Sequence, residues 1–311
     1  METNNRLFLV TGAFGFIGSN MVRFLNSKGI TPIVYDTAQL NSEQWRNLSG
    51  LNFKITVDPL EDEVNYDFVI HLGANSSTPT SMSQALWESN FLFSQKLFLR
   101  KRKAKFIYAS SAATYGAEEK DFTERLDGLT PTNAYGFLKL QFDKWIFGVN
   151  APYSNRIGLR FFNVYGPNEG FKGAMASVVH KALNKREPIY QGYTDFQNRT
   201  PTWSLFKSDK PIQRDFIFVD DICNIIWFFI TNNCESGIYN AGSGQARSFE
   251  ELVGVVDSTF EIQYVDIPAS IKSHYQYFTQ ANLTKLRAAG YDKEFTSLED
   301  GIKKTREALG L

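Results

Sequence analysis

Leu7-Phe8-Leu9-Val10-Thr11-Gly12-Ala13-Phe14-Gly15-Phe16-Ile17-Gly18 governs how the rest of the chain is read. Leu7–Val10 is a strand's length of apolar sequence, Thr11-Gly12 stops it, and helical periodicity begins at Ile17. Gly12, Gly15 and Gly18 fall three apart between the two. A strand that runs straight into a helix needs glycine where the chain turns, where backbone N–H groups approach a pyrophosphate, and where helix meets sheet. A glycine triplet alone also fits an ordinary turn, but here both flanks are right. Asp36 supplies the other half of the pattern. It ends the next strand, eighteen residues past Gly18, where a carboxylate accepts from the ribose hydroxyls of a bound dinucleotide. The same carboxylate repels a ribose 2′-phosphate, and Thr37-Ala38-Gln39-Leu40 brings no Arg or Lys to offset it, so NAD is expected over NADP. Arg46 is the nearby cation that would reverse this preference.

Working outward, Pro32–Tyr35, Phe53–Val57, Phe68–Leu72, Phe106–Ala109 and Arg156–Phe161 read as further strands. Helices are expected over Ile17–Ser27, about Ser83–Arg102, and Asn133–Phe147. Strand, helix and strand in alternation imply an α/β fold, a Rossmann doubly wound parallel sheet closed by right-handed crossovers. Residues 1–165 form the expected NAD-binding domain, with 214–240 returning to it; 166–213 and 241–311 form a smaller mixed α/β lobe for substrate. Tyr193–Gln213, which holds Pro201 and Pro211, reads as a long loop or small insertion. Arg214–Val219 is another strand, Asp220-Asp221 stands where a helix N-cap would, and Ser248-Phe249-Glu250-Glu251 is a capping box.

The 311 residues carry 33 Lys+Arg against 33 Asp+Glu, which argues against bulk nucleic acid as the main partner. Cys223 and Cys234 match no zinc spacing, and two thiols in so long a chain fit a reduced, intracellular protein without disulfides. No signal peptide precedes Leu7, and the most apolar later stretch, Ile222–Ile230, is too short to span a membrane. A soluble, cytoplasmic protein with no metal is therefore expected. The basic run Arg100–Lys105 closes the long helix, where cations oppose the negative end of the macrodipole, and it is given no function.

Tyr135 and Lys139 stand one turn apart on one helix face. A phenol is a poor base at neutral pH, but a nearby ammonium favours phenolate, and Lys139 can also hold the nicotinamide ribose. Taken alone, such a pair is common on amphipathic helices. Ser110-Ser111 changes its weight, because it ends the strand Phe106–Ala109 on the side where ligands lie in open α/β sheets. A strand-end serine, the tyrosine and the lysine beside a dinucleotide site are what is needed to take a hydride and a proton from a secondary alcohol.

These residues resemble the extended short-chain dehydrogenases/reductases that act on nucleotide sugars. More narrowly, Tyr108–Gly116, Arg160–Pro167, Glu169–Val178 and Phe278–Leu283 through Tyr291-Asp292-Lys293 resemble the ADP-L-glycero-D-manno-heptose 6-epimerases, over nearly the whole chain. The resemblance implies an internal redox cycle: NAD removes a hydride from carbon six of the nucleotide-linked heptose, the ketone turns its other face, and the hydride returns. Proton transfer on both faces calls for a second base, and Lys172 stands at the position that resembles it. The catalytic set is then Ser111, Tyr135, Lys139 and Lys172. The implied cofactor lining is Gly12, Phe14, Gly15, Phe16, Ile17, Gly18, Asp36, Thr37, Asp58, Leu72, Gly73, Ala74, Asn90, Tyr135, Lys139 and Val164. The implied substrate contacts are Ser76, Ser77, Ser111, Asn163, Lys172, Ala174, Lys181, Tyr190, Gln191, Arg214 and Tyr275, with Arg214 suited to gripping phosphate. The resemblance further implies a homo-oligomer and a role in making heptose for surface glycans.

The chain departs from that pattern in three places. The lysine through which heptose epimerases often take NADP is missing after the second strand; Ala174 and Lys181 replace a serine and a histidine; and Tyr193–Gln213 is some sixteen residues longer. A longer segment beside the nucleotide site leaves the base less secure than the heptose. Other nucleotide-sugar epimerases or dehydrogenases share the Ser-Tyr-Lys set. A 4,6-dehydratase would place an Asp-Glu pair where Ala112-Ala113 follow Ser111. A dinucleotide-binding sensor without turnover would not need both Tyr135 and Lys139.

Overall fold

In the computed structural model the described residues are 5–37, 42–77, 81–117, 121–150, 155–184, 202–272 and 275–311. The strands, in chain order, are β1 (Phe8–Thr11), β2 (Ile33–Tyr35), β3 (Lys54–Ile55), β4 (Phe68–His71), β5 (Lys105–Ser111), β6 (Arg156–Phe161), β7 (Asn163–Tyr165), β8 (Thr202–Lys207), β9 (Gln213–Phe218), β10 (Gly237–Ala241), β11 (Ala246–Ser248) and β12 (Glu261–Asp266). Seven of them form one sheet in the order β10-β6-β5-β4-β1-β2-β3, and all of its pairings are parallel. β1 and β4 are buried at every position, as parallel strands covered on both faces must be. The order reverses between β1 and β4, which opens a crevice at their carboxyl ends.

Three helices carry part of the candidate site. α1 (Phe16–Ser27) follows the glycines. α2 begins as Gln84–Trp87, widens into a π-helical stretch over Glu88–Leu92 and continues as Phe93–Arg100. α3 (Ala134–Gly148) is capped by Asn133, whose side chain accepts from the Gly136 N–H. The largest core cluster lies between β1, β4, β6 and α1 on one side and the helix Val219–Thr231 on the other, with Phe24 and Trp227 in ring contact at 6.0 Å.

Within residues 214–240, Val219–Thr231 packs on α1 and Gly237–Ala241 adds the seventh strand, whereas Gln213–Phe218 pairs in a second sheet, β11-β9-β7. The Val219–Thr231 helix begins before the expected cap. Its N-cap is Phe218, and Asp220 and Asp221 fall in the first turn, where Asp221 accepts from the Thr296 N–H at 2.9 Å. The capping box at Ser248 and Glu251 is present.

The expected loop over Tyr193–Gln213 needs correction. Thr202–Lys207 is a strand, paired in parallel with β12 through six residues, while 193–201 lies outside the described residues. Both cysteines are buried and free. Among the described residues no helix is long and apolar enough to cross a membrane, and no three His, Cys, Asp or Glu side chains gather as a metal site.

Candidate active site

The glycines close the crevice from below. Gly12 has φ +69°, and a Cβ there would fall 2.5 Å from the Gly73 Cα, so the β1 and β4 exits meet backbone to backbone. A Cβ on Gly18 would collide with the Gly12 carbonyl oxygen. These contacts fit a backbone cradle for a pyrophosphate at the start of α1. Asp36 Oδ2 accepts from the Phe14 N–H at 2.8 Å, so the carboxylate expected to meet the ribose braces the glycine turn. Asp58, at the exit of β3, lies close enough to join Asp36 in raising the proton affinity of Tyr35, an effect that burial leads. Arg46, the cation that would have favoured NADP, pairs with Glu43 at 3.1 Å. Thr37 is exposed beside Asp36. The residues present fit NAD.

Leu72, Gly73 and Ala74 form the half-buried exit of β4. Asn90, on the π-helical stretch, acts on this exit rather than on the open crevice: it is 1% exposed, its Oδ1 accepts from the Asn75 N–H at 2.8 Å, and its Nδ2 donates to the Asn75 carbonyl at 2.9 Å. Ser77 donates to Asn75 Oδ1 at 2.6 Å, and Ser76 is exposed beside it.

Ser111, Tyr135 and Lys139 come together at the carboxyl end of β5. Gly136 lets them: a Cβ there would stand 2.5 Å from the Ala113 carbonyl, so only glycine allows α3 to press against the Ala112–Tyr115 turn that Ser111 caps. Tyr135 hydrogen-bonds Ser111; burial pushes its phenol above the ordinary range, and that hydrogen bond pulls it back in part. Lys139 is 4% exposed, donates to the Ala109 carbonyl at 2.7 Å, and lies 5.8 Å from the Tyr135 ring centre. Burial brings its ammonium down to about 8, against the upward pull of Asp143.

Lys172 arrives from a different element. Its segment is locked onto α1, because Asn20 donates to the Pro167 carbonyl at 2.9 Å and Asn168 to Ser19 Oγ at 3.0 Å. Its Nζ lies 5.2 Å from the ring centre of Phe16, at the foot of the glycine turn. Glu169, fully buried, ties both ends of the segment: it accepts from the N–H of Gly166 at 3.1 Å and of Ser177 at 2.6 Å, and stands 3.8 Å from the Lys172 ammonium. Burial pushes the Glu169 carboxyl up, and Lys172 with the Ser177 bonds opposes it. Lys181 shares this environment; burial lowers its proton affinity, with Glu169 opposing.

Arg214, on β9 of the second sheet, and Tyr275, sixty-one residues later, meet. The guanidinium is 8% exposed, lies 5.4 Å from the Tyr275 ring centre and 5.8 Å from that of Phe249, and donates to the carbonyls of Gln213 and Gln276. Burial lowers its proton affinity, with Tyr275 opposing. Beside them is a cavity of about 130 Å³ walled by Val178, Leu205, Phe206, Phe249 and Tyr275. Asn163 is exposed at the start of β7, and Val164 packs between two core clusters. Tyr190, Gln191 and the side chain of Ala174 lie outside the described residues.

The sequence of residues 8–242 matches the profile of the NAD dependent epimerase/dehydratase family. The chain belongs to that family. Its fold is similar to that of the ADP-L-glycero-D-manno-heptose-6-epimerase of Helicobacter pylori, at 26% identity and a TM-score of 0.84, covering 100% of this chain and 98% of the other. It is also similar to a UDP-N-acetylglucosamine 4-epimerase of Methanobrevibacter ruminantium, at 21% and 0.81 over 98% of both chains. A third is the UDP-glucuronic acid 4-epimerase of Bacillus cereus, solved with UDP-glucuronic acid and NAD, at 21% and 0.76 over 97% and 98%.

As an NAD-dependent enzyme of this family, the chain needs its crevice held firm, and three of the side chains that do so, His71, Ser94 and Asp143, carried no sequence signal. His71 Nδ1 and Thr11 Oγ1 are 2.6 Å apart, and His71 Nε2 and Ser94 Oγ are 2.8 Å apart. Ser94 also donates to the Asn90 carbonyl at 3.2 Å, so it accepts from Nε2–H, and Thr11 donates to Nδ1. Asp143 is the third. His71 and Asp143 work through partners distant in sequence, which the strand register brings together.

Proposed function

We propose that the protein is a nucleotide-sugar epimerase that oxidises and re-reduces one carbinol carbon, with ADP-glycero-manno-heptose, inverted at carbon six, as its substrate. The observation that carries this reading is the approach of Lys172 to Phe16 at the glycine turn, on a segment other than the Tyr135 helix. Two proton-handling groups from separate elements suit a reaction in which the same carbon is attacked from both faces. NAD, when bound, supplies reversible hydride acceptance. Tyr135 takes the proton of the substrate hydroxyl, Ser111 holds that oxygen, and the Lys139 ammonium favours phenolate and holds the cofactor's ribose. Lys172 moves the proton on the opposite face. Arg214 grips the diphosphate, and the apolar cavity beside Tyr275 receives the base. The 26% identity to the heptose epimerase over the full chain supports the sugar, and Asp36 supports NAD over NADP.

The test is incubation with ADP-, GDP- and UDP-linked heptoses and hexoses, following stereochemistry at each carbon by NMR. Inversion at carbon six of the ADP-heptose without net NADH is the expected result. Inversion at carbon four of a hexose, or accumulation of NADH, would replace this reading.

A further inference from the structure

Asp143 lies one turn beyond Lys139 on α3, and it is fully buried. Its Oδ1 accepts from the Tyr108 hydroxyl at 2.9 Å; its Oδ2 accepts from the Ser110 hydroxyl at 2.9 Å and from Arg160 Nε at 3.2 Å. Tyr108 and Ser110 are alternate residues of β5 and so reach the same side of the sheet. Between them stands Ala109, whose carbonyl takes the Lys139 ammonium. Arg160 comes from the next strand, β6, and is itself fixed by donating to the Arg125 carbonyl at 2.9 Å and by lying 4.7 Å from the Tyr115 ring centre. Gly158 of β6 leaves the room required, since a Cβ there would sit 2.5 Å from the Tyr108 hydroxyl.

We propose that Asp143 is the positioning residue of the Tyr135–Lys139 pair: it fastens α3 to β5 and β6 on either side of Ala109 and is the carboxylate that Lys139 faces along the helix. This rests on the assignment of Tyr135 and Lys139 to the reaction. A helix held only by apolar packing can slide by a fraction of an ångström. Three polar bonds to two strands forbid that, and they fix how far Lys139 stands from Tyr135 and Ser111.

The electrostatics agree with the geometry. The charged or titratable groups around Lys139 are Tyr135 on its own helix, His71 from β4, Tyr108 from β5 and, through Asp143, Arg160 from β6. His71 is neutral at working pH, and burial together with Asp143 pushes the Tyr108 phenol well up, so it is neutral too. Burial pushes Lys139 down to about 8, and Asp143 is the group that opposes it. Burial also raises the proton affinity of Asp143, against the pull of Arg160 and the two hydroxyls that bond to its ionised form.

The test is Asp143→Asn, which keeps the shape and removes the charge. The expected result is that kcat falls roughly tenfold to a hundredfold while KM for the nucleotide sugar stays within about twofold. The alkaline limb of kcat, which reports loss of the Lys139 charge, should also move to lower pH by about one unit. A uniform loss at every pH with the limb unmoved, or a wild-type profile, overturns the proposal. Should the unpaired Arg160 prevent Asp143→Asn from folding, Tyr108→Phe and Ser110→Ala each remove one fastening and keep the ion pair. Each should lower kcat in part without moving the limb, and unchanged kcat in both refutes the fastening. A second readout needs no substrate: titration of the Lys139 ¹³Cε resonance, assigned with Lys139→Arg, should show the same downward shift in Asp143→Asn. If the wild type epimerises no nucleotide sugar, the proposed function fails while this titration still decides the coupling between Asp143 and Lys139.

Discussion

A histidine at the end of a Rossmann strand invites a catalytic reading, and at His71 the surroundings forbid it. The ring is 2% exposed, uses one nitrogen on Thr11 and the other on Ser94, and so spans the switch point from β1 to α2. Burial pushes its proton affinity down to about 3, and the charge on Lys139 adds to the effect. The unfolded imidazole takes its proton near pH 6.5, so between there and about 3 the unfolded state binds more protons than the folded one. Stability should therefore fall as pH drops through that window, by about 2–3 kcal/mol from this residue alone at pH 4.5. His71→Gln should lose stability at pH 7, where a buried bond goes missing, and lose less than the wild type on moving to pH 4.5. Thermal midpoints at the two pH values check this, and a constant gap between the two proteins would remove His71 as the titrating group. None of this was legible beforehand, because Thr11, His71 and Ser94 are strangers in sequence until β1 and β4 pair in register. The Asn90 amide serves the Asn75 backbone, a use that spacing does not reveal.

Elements were easier to read than contacts, where one period dominated. The glycine turn, the mostly apolar, fully buried β1 and β4, and α3 opening at Asn133 follow from local pattern. Thr202–Lys207 did not, although Trp203 and Leu205 are buried in alternation; the flanking prolines spoke for a loop, and the pairing with β12 overrode them. The same distinction between elements separates the two groups proposed to handle protons. Tyr135 sits on α3 and Lys172 on a segment tied to α1 through Asn20 and Asn168, so each can be removed without moving the other. Tyr135→Phe and Lys172→Met should each reduce epimerisation by roughly a hundredfold or more, with NAD affinity unchanged within about twofold. Lys172→Met should still pass a hydride on a substrate analogue that needs only one face, whereas Tyr135→Phe should not. Stopped-flow absorbance of the reduced nicotinamide separates the two, and full turnover in either variant excludes that residue from the mechanism.

At the scale of the molecule, equal numbers of acidic and basic residues conceal an uneven distribution. Lys139, Lys172, Lys181 and Arg214, the cations among the candidate site residues, are each at least partly withdrawn from water, which suits anionic ligands on a neutral envelope. Against them Asp36 is the carboxylate at the far end, held to the Phe14 N–H and therefore fixed in direction before any cofactor binds. Whole-molecule stability can read this arrangement, because a ligand at a hundred times its Kd stabilises the fold by about 2.7 kcal/mol. NAD should raise the wild-type Tm more than NADP at equal concentration. Asp36→Asn keeps an oxygen for the Phe14 N–H while removing the charge that opposes a 2′-phosphate, so the NAD shift should shrink and the NADP shift should grow. If NADP stabilises the wild type as well as NAD does, Asp36 does not set the preference. Arg46, freed from Glu43, would then be the next residue to change.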